Sequence, residues 1–267
     1  MLTAQAYLEL VKNRSERGLE LERVYHNLKN PDLFLLAYGR LYANKGAMTF
    51  GTETKDSIDG MSMESIEKIT QSLDNGTFRW KPAKRIYIPK ANGKLRPLGI
   101  PGWTDKLVQE VIRLILESYY EPRFRESSHG FRPNRGCHTA LMKIKREWTG
   151  TNWFIEGDIK GCFDHIDHDK LIDIVGRNCK DAKLLKLLRE MLKVGYMEDF
   201  KYTETFSGTP QGGLITITTM LQKAPFGAKF KRGGRDPKDN VNVVLGNFNP
   251  LNKRANEFTF GVPVGCR

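Results

Sequence analysis

The sequence is poor in the features that mark membrane, secreted and zinc-binding proteins. No apolar run approaches the roughly 18 residues that a membrane helix needs, so a membrane span is excluded. The 4 cysteines, Cys137, Cys162, Cys179 and Cys266, form no C-x-x-C pair and no Cys/His spacing typical of zinc, and a reducing compartment fits best. The N-terminal residues lack a cationic start followed by an apolar stretch, which predicts no targeting signal.

Acidic residues are outnumbered. The chain has 31 Asp and Glu against 43 Lys and Arg, which leaves a formal net charge of +12. Its 39% hydrophobic and 10% aromatic residues are ordinary for a globular protein, so wholesale disorder is excluded. Because net charge governs association rather than fold, the expected partner is a polyanion, with nucleic acid first among the polyanions.

Apolar periodicity and turn residues predict a mixture of helices and short strands. Helices are expected over residues 19–28, from Pro31, from Ser62 to Asn75, after Thr104, and over 139–148, 169–177 and 181–194. The helix from Pro31 is expected to bury Leu33, Leu36, Ala37 and Leu41. The helix after Thr104 is expected to bury Leu107, Val108, Val111, Ile112 and Ile115. A buried strand is predicted over 153–158 and a hairpin-like stretch over 200–213.

A basic hairpin is predicted where RIYIPK and LRPLGIP flank an Asn-Gly turn. Pro97 lacks an amide hydrogen and would confine the second strand to a sheet edge. Because alternate residues of a strand share one side, the hairpin is expected to project a row of cations toward one side, namely Arg85, Lys90, Lys94 and Arg96. Such a row would clamp a triphosphate, and a solvated basic hairpin is the equally open alternative.

Several acidic residues follow a predicted strand in WFIEGDIKGCFDHIDH, residues 153–168. Asp158 at the strand end, beside backbone carbonyls, offers the oxygen ligands that suit Mg²⁺. The alternative is that Asp158 only ends the strand and that Asp167 caps the next helix. His165 and His168 form an HxxH pair at a helix start, a pattern that is more often surface than zinc ligand.

Glycines surround one amide side chain in GTPQGG, residues 208–213, which predicts a tight polar turn. A glycine-rich turn of this kind is weak evidence by itself. After it the composition changes, because residues 214–267 hold 9 Lys and Arg against 3 Asp and Glu. The pattern of this tail predicts solvated loop with two short apolar pieces, VNVVL and EFTFGV, as candidate strands.

Five blocks, in this order, resemble the reverse transcriptases encoded by group II introns, and the resemblance covers residues 19–213. NKGAMTFGTETKDSIDGMS resembles the N-terminal template-contacting insertion of that family, and IPKANGKLRPLGIP resembles its fingers hairpin. SHGFRPNRGCHTAL is similar to the family's next block, EGDIKGCFDHIDH to polymerase motif A, and GTPQGG to motif B. The chain is identified as a member of this family by the order of the five blocks.

The resemblance implies an α+β fold, with right-hand polymerase fingers, an incomplete palm and a divergent basic C-terminal tail. The implied regions are an N-terminal extension over 1–18, fingers with the template-contacting insertion over 19–152, a partial palm with motifs A and B over 153–213, and a poorly ordered tail over 214–267. The implied partners are group II intron RNA or another RNA template, a DNA primer and deoxynucleotide triphosphates.

The resemblance also implies roles for single residues at an active site. Asp158 and the carbonyl of Ile159 would bind catalytic Mg²⁺, of which the family uses two ions. Lys90 and Arg96 would hold the triphosphate of the incoming deoxynucleotide. Phe163 would crowd a ribose 2′-hydroxyl and so select deoxynucleotides by steric exclusion.

Four further residues have implied roles in binding. Gln211 would line the nucleotide pocket. Arg85 and Lys94 on the hairpin, and Arg132 in the block that follows it, would contact nucleic acid.

Residues 214–267 depart from the family pattern. After motif B the family continues with a helix of the type SPLLxNIYL and later a Tyr-Ala-Asp-Asp hairpin that supplies the second metal-binding carboxylate, and this sequence has neither. The acids beyond Gly213 are Asp236, Asp239 and Glu257. The first two lie in a stretch rich in Gly, Arg and Pro rather than on a predicted apolar β-turn, and none of the three is a credible substitute. We therefore expect a truncated or rearranged chain in which the two-metal site is incomplete.

Two classes of function stay open on the sequence alone, and whether this chain is an enzyme is undecided. The first is an RNA-directed DNA polymerase associated with intron splicing and mobility, catalytically incomplete in this chain. The second is a non-catalytic RNA-binding remnant that grips RNA through backbone charge and aromatic stacking, or a decayed gene product. The expected location is the bacterial cytoplasm, with the mitochondrion as the alternative.

Overall fold

The computed structural model describes residues 2–43, 48–53, 56–89, 93, 95–149 and 166–208, and the backbone of 151–153 and 264–265. The α-helices within these residues are α1 Ala4–Glu16, α2 Val24–Asn27, α3 Pro31–Tyr42, α4 Met63–Asp74, α5 Trp103–Tyr120, α6 Cys137–Glu147, α7 His168–Gly176 and α8 Ala182–Lys193. The strands are β1 Ala83–Pro89, β2 Leu95–Ile100, β3 Thr151–Trp153, β4 Tyr196–Glu198, β5 Lys201–Thr203 and β6 Val264–Gly265. This mixture confirms the predicted α+β class.

The N-terminal segment differs from the prediction. The predicted helix over residues 19–28 is wrong, because only the four residues of α2 are helical there. The long helix lies earlier, in α1, where the Thr3 hydroxyl accepts a hydrogen bond from a first-turn amide. Gly18 turns the chain with a φ of +71°, and Leu21 then forms an extended bridge with Cys179. Periodicity alone does not reveal this long-range pairing, which removes Leu21 from a helix.

Helices α3 and α4 begin where the capping residues predict. The side chains of Asn30 and Ser62 accept hydrogen bonds from first-turn amides, and Pro31 occupies the first turn of α3. The predicted apolar stripe of α3 is buried except for Leu36, which is half-buried. Gly76, with a φ of +68°, directly follows the α4 C-cap, as the Asn-Gly pair predicts.

Helix α5 lies in the hydrophobic core and packs against α1 and α3. All of its predicted buried residues are buried, namely Leu107, Val108, Val111, Ile112 and Ile115. The predicted cap is wrong, because α5 begins at Trp103 after Gly102, and Thr104 already lies in the first turn. A carboxylate from a separate segment, Asp56, takes the place of a local cap.

The main sheet has the strand order β2-β1-β4-β5. β1 and β2 form the predicted antiparallel hairpin, and β2 lies at the edge that Pro97 requires. β4 pairs in parallel with β1 and antiparallel with β5. The observed hairpin consists of β4 and β5, and its turn is formed by Asp199 and Phe200, both with positive φ. The predicted hairpin-like stretch over 200–213 therefore starts at this turn and leaves out β4.

The predicted helices of the C-terminal half are confirmed. α6 begins two residues before the predicted range of 139–148, and α7 and α8 coincide closely with theirs. The predicted strand over 153–158 lies outside the described residues except for Trp153, the last residue of β3. The backbone of β3 pairs antiparallel with β6.

One hydrophobic core joins α1, α3, α4, α5, α7 and α8. Two hydrogen bonds from aromatic side chains join parts of this core that are distant in the sequence. The Trp80 indole donates to the Leu187 carbonyl at 2.9 Å, and the Tyr119 hydroxyl donates to the Leu19 carbonyl at 2.7 Å. Residues of α1, before position 19, belong to the same core as α5, and the predicted division of the chain into four regions stays a prediction. Within the described residues, no helix is long and apolar enough to cross a membrane.

Candidate nucleic-acid and nucleotide site

The β1–β2 hairpin carries two of the predicted cationic site residues. In its register Ile88 lies opposite Arg96, and Arg85 lies opposite Gly99. Directly opposite residues share a face of the sheet, and alternate residues along one strand do so too. Arg85 and Arg96 therefore lie on opposite faces, and the prediction that the hairpin cations project toward one side is wrong for this pair.

Arg85 is stacked on the neighbouring strand. The parallel pairing of β1 with β4 sets Ala83 opposite Tyr196, on the face that carries Arg85. The Arg85 guanidinium carbon lies 3.6 Å from the centre of the Tyr196 ring. A cation over an aromatic face contributes about 0.5–1 kcal/mol where it is partly exposed. This contact orients the planar guanidinium group, and a stacked guanidinium retains N–H donors for an anion.

A second contact on the same face joins the two hairpins. The Glu198 carboxylate of β4 acts on the Tyr87 hydroxyl of β1 and raises the pKa of this tyrosine above its ordinary value. This side-chain interaction adds to the two residue pairs of the short ladder between β1 and β4.

Arg96 lies on the opposite face, exposed to solvent. The apolar residues around it on the outer half of the hairpin are also exposed, with Tyr87 at 46%, Ile88 at 44% and Leu95 at 58%. The end of the hairpin therefore stands away from the core, and the Arg96 guanidinium is accessible to a phosphate.

Part of the segment that resembles the template-contacting insertion docks on the start of α5. The Lys106 ammonium donates to the Thr49 carbonyl at 2.6 Å. Gly51 lies directly against Gly102, and a Cβ at Gly51 would lie 2.7 Å from the Gly102 nitrogen. A side chain at position 51 would push the two backbones apart, so this close approach requires glycine.

Asp56 is the polar centre of this docking. Its carboxylate accepts hydrogen bonds from the Thr104 amide at 3.1 Å and from the Thr104 hydroxyl at 2.9 Å. It therefore satisfies one of the amides that a helix start leaves without an intrahelical acceptor. Sequence reasoning misses Asp56 because its partner lies 48 residues later in the chain.

Replacing Asp56 should weaken the attachment of the insertion to α5. We expect Asp56→Ala to lower the free energy of unfolding by about 1–2 kcal/mol, as the loss of a helix cap does. Asp56→Asn keeps an oxygen acceptor and should cost less than about half of that. Urea denaturation of the three proteins at one pH measures both values. Equal losses in the two variants would contradict the capping role.

Asp105 lies beside this junction and is buried. One carboxylate oxygen accepts a hydrogen bond from the Lys81 amide at 2.9 Å, and the other has no hydrogen-bond partner among the described residues. Burial raises the pKa of this carboxyl to about 7; the Lys81 amide opposes the rise and the nearby Asp56 carboxylate adds to it. The sequence shows an ordinary acid in the first turn of a helix, and nothing in its neighbours indicates the burial.

Arg132, a predicted nucleic-acid contact, is committed to internal partners. It is 8% exposed and forms an ion pair with Glu121 at 2.8 Å. One guanidinium nitrogen also donates to the carbonyls of Arg125 at 2.9 Å and Ser128 at 2.8 Å. These bonds close the loop between α5 and α6, and a direct contact of Arg132 with nucleic acid stays a prediction.

The remaining predicted site residues lie outside the described residues. They are Lys90, Lys94, Asp158, Ile159, Phe163 and Gln211. Their implied roles therefore stay predictions. Within the part of the chain that the structure describes, no group of three or more His, Cys, Asp and Glu side chains could hold a metal ion.

Two residues of the motif A block lie just inside the described part. Asp167 caps α7, since its side chain accepts a hydrogen bond from the Lys170 amide at 3.1 Å, as the alternative interpretation predicts. His168 is buried and not on the surface, which corrects the surface interpretation of the HxxH pair. Its Nε2 lies 2.6 Å from the Gly208 carbonyl oxygen, so it joins motif A to the first residue of the GTPQGG turn.

Comparison with known proteins places these features in a family context. Residues 88–220 match the family model described as "Reverse transcriptase (RNA-dependent DNA polymerase)". The chain is 51% identical over 219 residues to the "Group II intron-encoded protein LtrA" of Lactococcus lactis subsp. cremoris, and the alignment covers 81% of this chain and 36% of LtrA. This chain therefore spans about a third of the length of that relative.

Other relatives have similar coverage. The "Uncharacterized 91 kDa protein in cob intron" of Schizosaccharomyces pombe is 48% identical over 189 residues, covering 71% of this chain and 23% of that protein. "Protein YkfC" of Escherichia coli strain K12 is 32% identical over 209 residues, covering 76% of this chain and 55% of that protein. Among solved structures, the "Partial Cas6-RT-Cas1--Cas2 complex" aligns with a TM-score of 0.48 at 13% identity, over 73% of this chain and 32% of that one.

Proposed function

Because this chain belongs to the family of reverse transcriptases encoded by group II introns, we propose that it supplies the fingers and the first part of the palm of an RNA-directed DNA polymerase. The proposed biological role is in intron splicing and mobility. The observation that carries the proposal is the 51% identity to a group II intron-encoded protein over 219 residues, which spans the hairpin and both polymerase motifs.

The nucleotide contacts belong to the β1–β2 hairpin and the palm motifs. Lys90 and Arg96 would hold the triphosphate of the incoming deoxynucleotide, and the exposure of Arg96 supports this role. Phe163 would exclude a ribose 2′-hydroxyl, and Gln211 would line the base pocket. On the other face, Arg85 is oriented by Tyr196 and supports a nucleic-acid contact rather than a nucleotide clamp.

The cofactor belongs to motif A. Reverse transcriptases generally use divalent metal ions. The Asp158 carboxylate and the Ile159 carbonyl form an all-oxygen donor set, which fits a hard cation such as Mg²⁺. When bound, two such ions lower the barrier to phosphoryl transfer by stabilising the attacking and leaving oxygens. One carboxylate is a weak site for both, and residues 214–267 of this sequence contain no Tyr-Ala-Asp-Asp.

That sequence difference favours a second candidate function for this chain, RNA binding without polymerisation. Both candidates require a nucleic-acid partner, which the family and the net charge of +12 support. The polymerase would also bind a DNA primer. We place the protein in the bacterial cytoplasm because LtrA is bacterial, with the mitochondrion as the alternative because another relative is the "Nuclear intron maturase 1, mitochondrial" of Arabidopsis thaliana.

RNA binding by the 267-residue chain tests what the two candidates share. We expect affinity for structured intron RNA to fall steeply between about 50 and about 400 mM NaCl, because Lys and Arg that neutralise phosphates release condensed counterions. Filter binding with the chain in excess gives the salt slope. A flat salt response, or no binding at the lowest salt, would exclude both candidates for this chain.

A further inference from the structure

A basic groove lies at α6, and no residue of the β1–β2 hairpin lines it. It has a volume of about 340 Å³ and is open to solvent. The side chains that line it carry mostly positive charge or an imidazole ring, and the ones that matter for its chemistry are Glu126, His129, Arg135, His138, Lys143 and Arg146. None of the residues of α6 is buried, so this helix shows its charges to solvent.

The cations of the groove form a stripe along the helix. Thr139, Lys143 and Arg146 are spaced by four and three residues, which places them on one side of α6. Arg135 stands just before the helix N-terminus and extends the same stripe. A strand that follows this side of the helix would meet Lys143 and Arg146 within one turn, and Arg135 beyond the helix N-terminus.

The acids nearby only partly neutralise these cations. Arg135 is held by Glu126, through its carboxylate at 2.8 Å and its backbone carbonyl at 2.8 Å. Lys143 and Arg146 share one carboxylate, that of Glu147, at 2.9 and 3.4 Å. The Arg146 side chain is 77% exposed, and exposed ion pairs of this kind contribute little to stability. The phosphates of an incoming strand would therefore draw the two cations from Glu147 at small cost.

His129 adds a polar atom with no partner. Its Nδ1 lies 2.9 Å from the Thr139 hydroxyl, which fixes the ring against the helix start. Its Nε2 is shielded from water and has no hydrogen-bond partner among the described residues. In the tautomer that carries its proton on Nε2, the ring is a donor without an acceptor. Because this nitrogen is shielded, a phosphate in the open groove does not reach it, and His129 is not counted among the phosphate contacts.

We propose that this groove binds the phosphate backbone of an RNA strand, with Lys143 and Arg146 as its principal cations, each contacting one phosphate. The inference rests on the proposed function, since it names where RNA binds. The proposal distinguishes the cations of this region by their partners. Arg132 has internal partners, whereas Lys143 and Arg146 face solvent in the groove. The groove makes no base-specific demand, so binding there is independent of sequence.

The test compares two charge-matched double variants of the 267-residue chain. The groove variant carries Lys143→Gln and Arg146→Gln, and the control carries Lys186→Gln and Arg189→Gln. The control residues are exposed, ion-paired cations at the same three-residue spacing on α8. Gln is a good helix former, so both variants should keep their helices, and thermal melts verify this.

Fluorescence anisotropy with a labelled single-stranded RNA of about 20 nucleotides gives the readout. Each phosphate contact to a single strand contributes about 0.7 to the salt slope, so losing two should reduce the slope by about 1.4 and weaken binding about 25-fold at 0.1 M salt. The control should change affinity by less than about threefold, since only the long-range charge differs.

The outcomes separate the site from the function. If the wild type binds RNA and the groove variant behaves like the control, the groove is not the phosphate site. The proposal that the chain binds RNA is then unaffected. If the wild type does not bind, the proposed function fails, and the groove fails with it. A loss confined to the groove variant supports the site.

Discussion

Primer extension by the 267-residue chain on an RNA template with Mg²⁺ is expected to give no product above background. Transition-state charge at the transferred phosphoryl group must be met by two metal ions about 4 Å apart, held between facing carboxylates. In the proposed site Asp158 would supply one such carboxylate, and residues 214–267 contain no Tyr-Ala-Asp-Asp sequence to supply a second. The described residues contain no cluster of acids that could replace it.

A chimaera is the control for this prediction. Residues after Gly213 are replaced by a complete palm and thumb from a family member whose sequence carries the Tyr-Ala-Asp-Asp hairpin. Deoxynucleotide incorporation should then appear, and Asp158→Ala in the chimaera should lower its rate at least about 10³-fold, which corresponds to about 4 kcal/mol.

Either of two results would contradict this view. Incorporation by the unmodified chain that is lost in Asp158→Ala would mean that a second carboxylate exists within this sequence. An inactive chimaera that is folded and binds RNA would show instead that the hairpin and motif A residues do not have their implied roles.

The second large effect concerns the pH dependence of stability. Asp105 has a folded-state pKa of about 7, raised by burial from an ordinary value of 3.8. Between these two pH values the folded protein binds more protons than the unfolded chain, so the free energy of unfolding falls as pH rises from about 4 to about 7. Above that range the ionised carboxylate costs the folded state on the order of 4 kcal/mol.

Asp105→Asn removes this titration and keeps an oxygen for the Lys81 amide. We therefore expect the variant to be more stable than the wild type by about 2–4 kcal/mol at about pH 8 and by no more than about 1 kcal/mol at about pH 4.5. Urea denaturation at the two pH values measures the difference. Asp59→Asn, at an exposed position, is the matched control for the loss of one negative charge in a basic protein. A constant difference between Asp105→Asn and the wild type across this pH range would show that Asp105 is ionised in both states.

Local signals predicted local structure well. Ser62, Asn75-Gly76 and the apolar spacing between them specify α4, because a helix cap, a left-handed glycine and a buried face are properties of a short stretch of chain. The Asn-Gly turn and Pro97 likewise specify a hairpin with β2 at the sheet edge.

The errors fall where a distant residue competes with a local one. Thr104 has the residue type of a cap, yet Asp56 approaches from another segment and the helix begins earlier. Leu21 fits a helical stripe, yet it pairs with Cys179. The internal partners of Arg132, Glu121 and two carbonyls, are likewise not evident from its sequence neighbours, and its contact with nucleic acid stays a prediction.

By itself the sequence determined the family, the mixed α+β class and most helix and strand positions, because these follow from motif order and short-range periodicity, while its charge predicted a polyanionic partner. Only the tertiary structure decided which cations face solvent and which are paired. The hairpin register sends Arg85 and Arg96 to opposite faces, and the packing of α5 buries Asp105 enough to raise its pKa. Such properties depend on the positions of residues far apart in the chain, where water exclusion and contacts across strands set the energy of each charge.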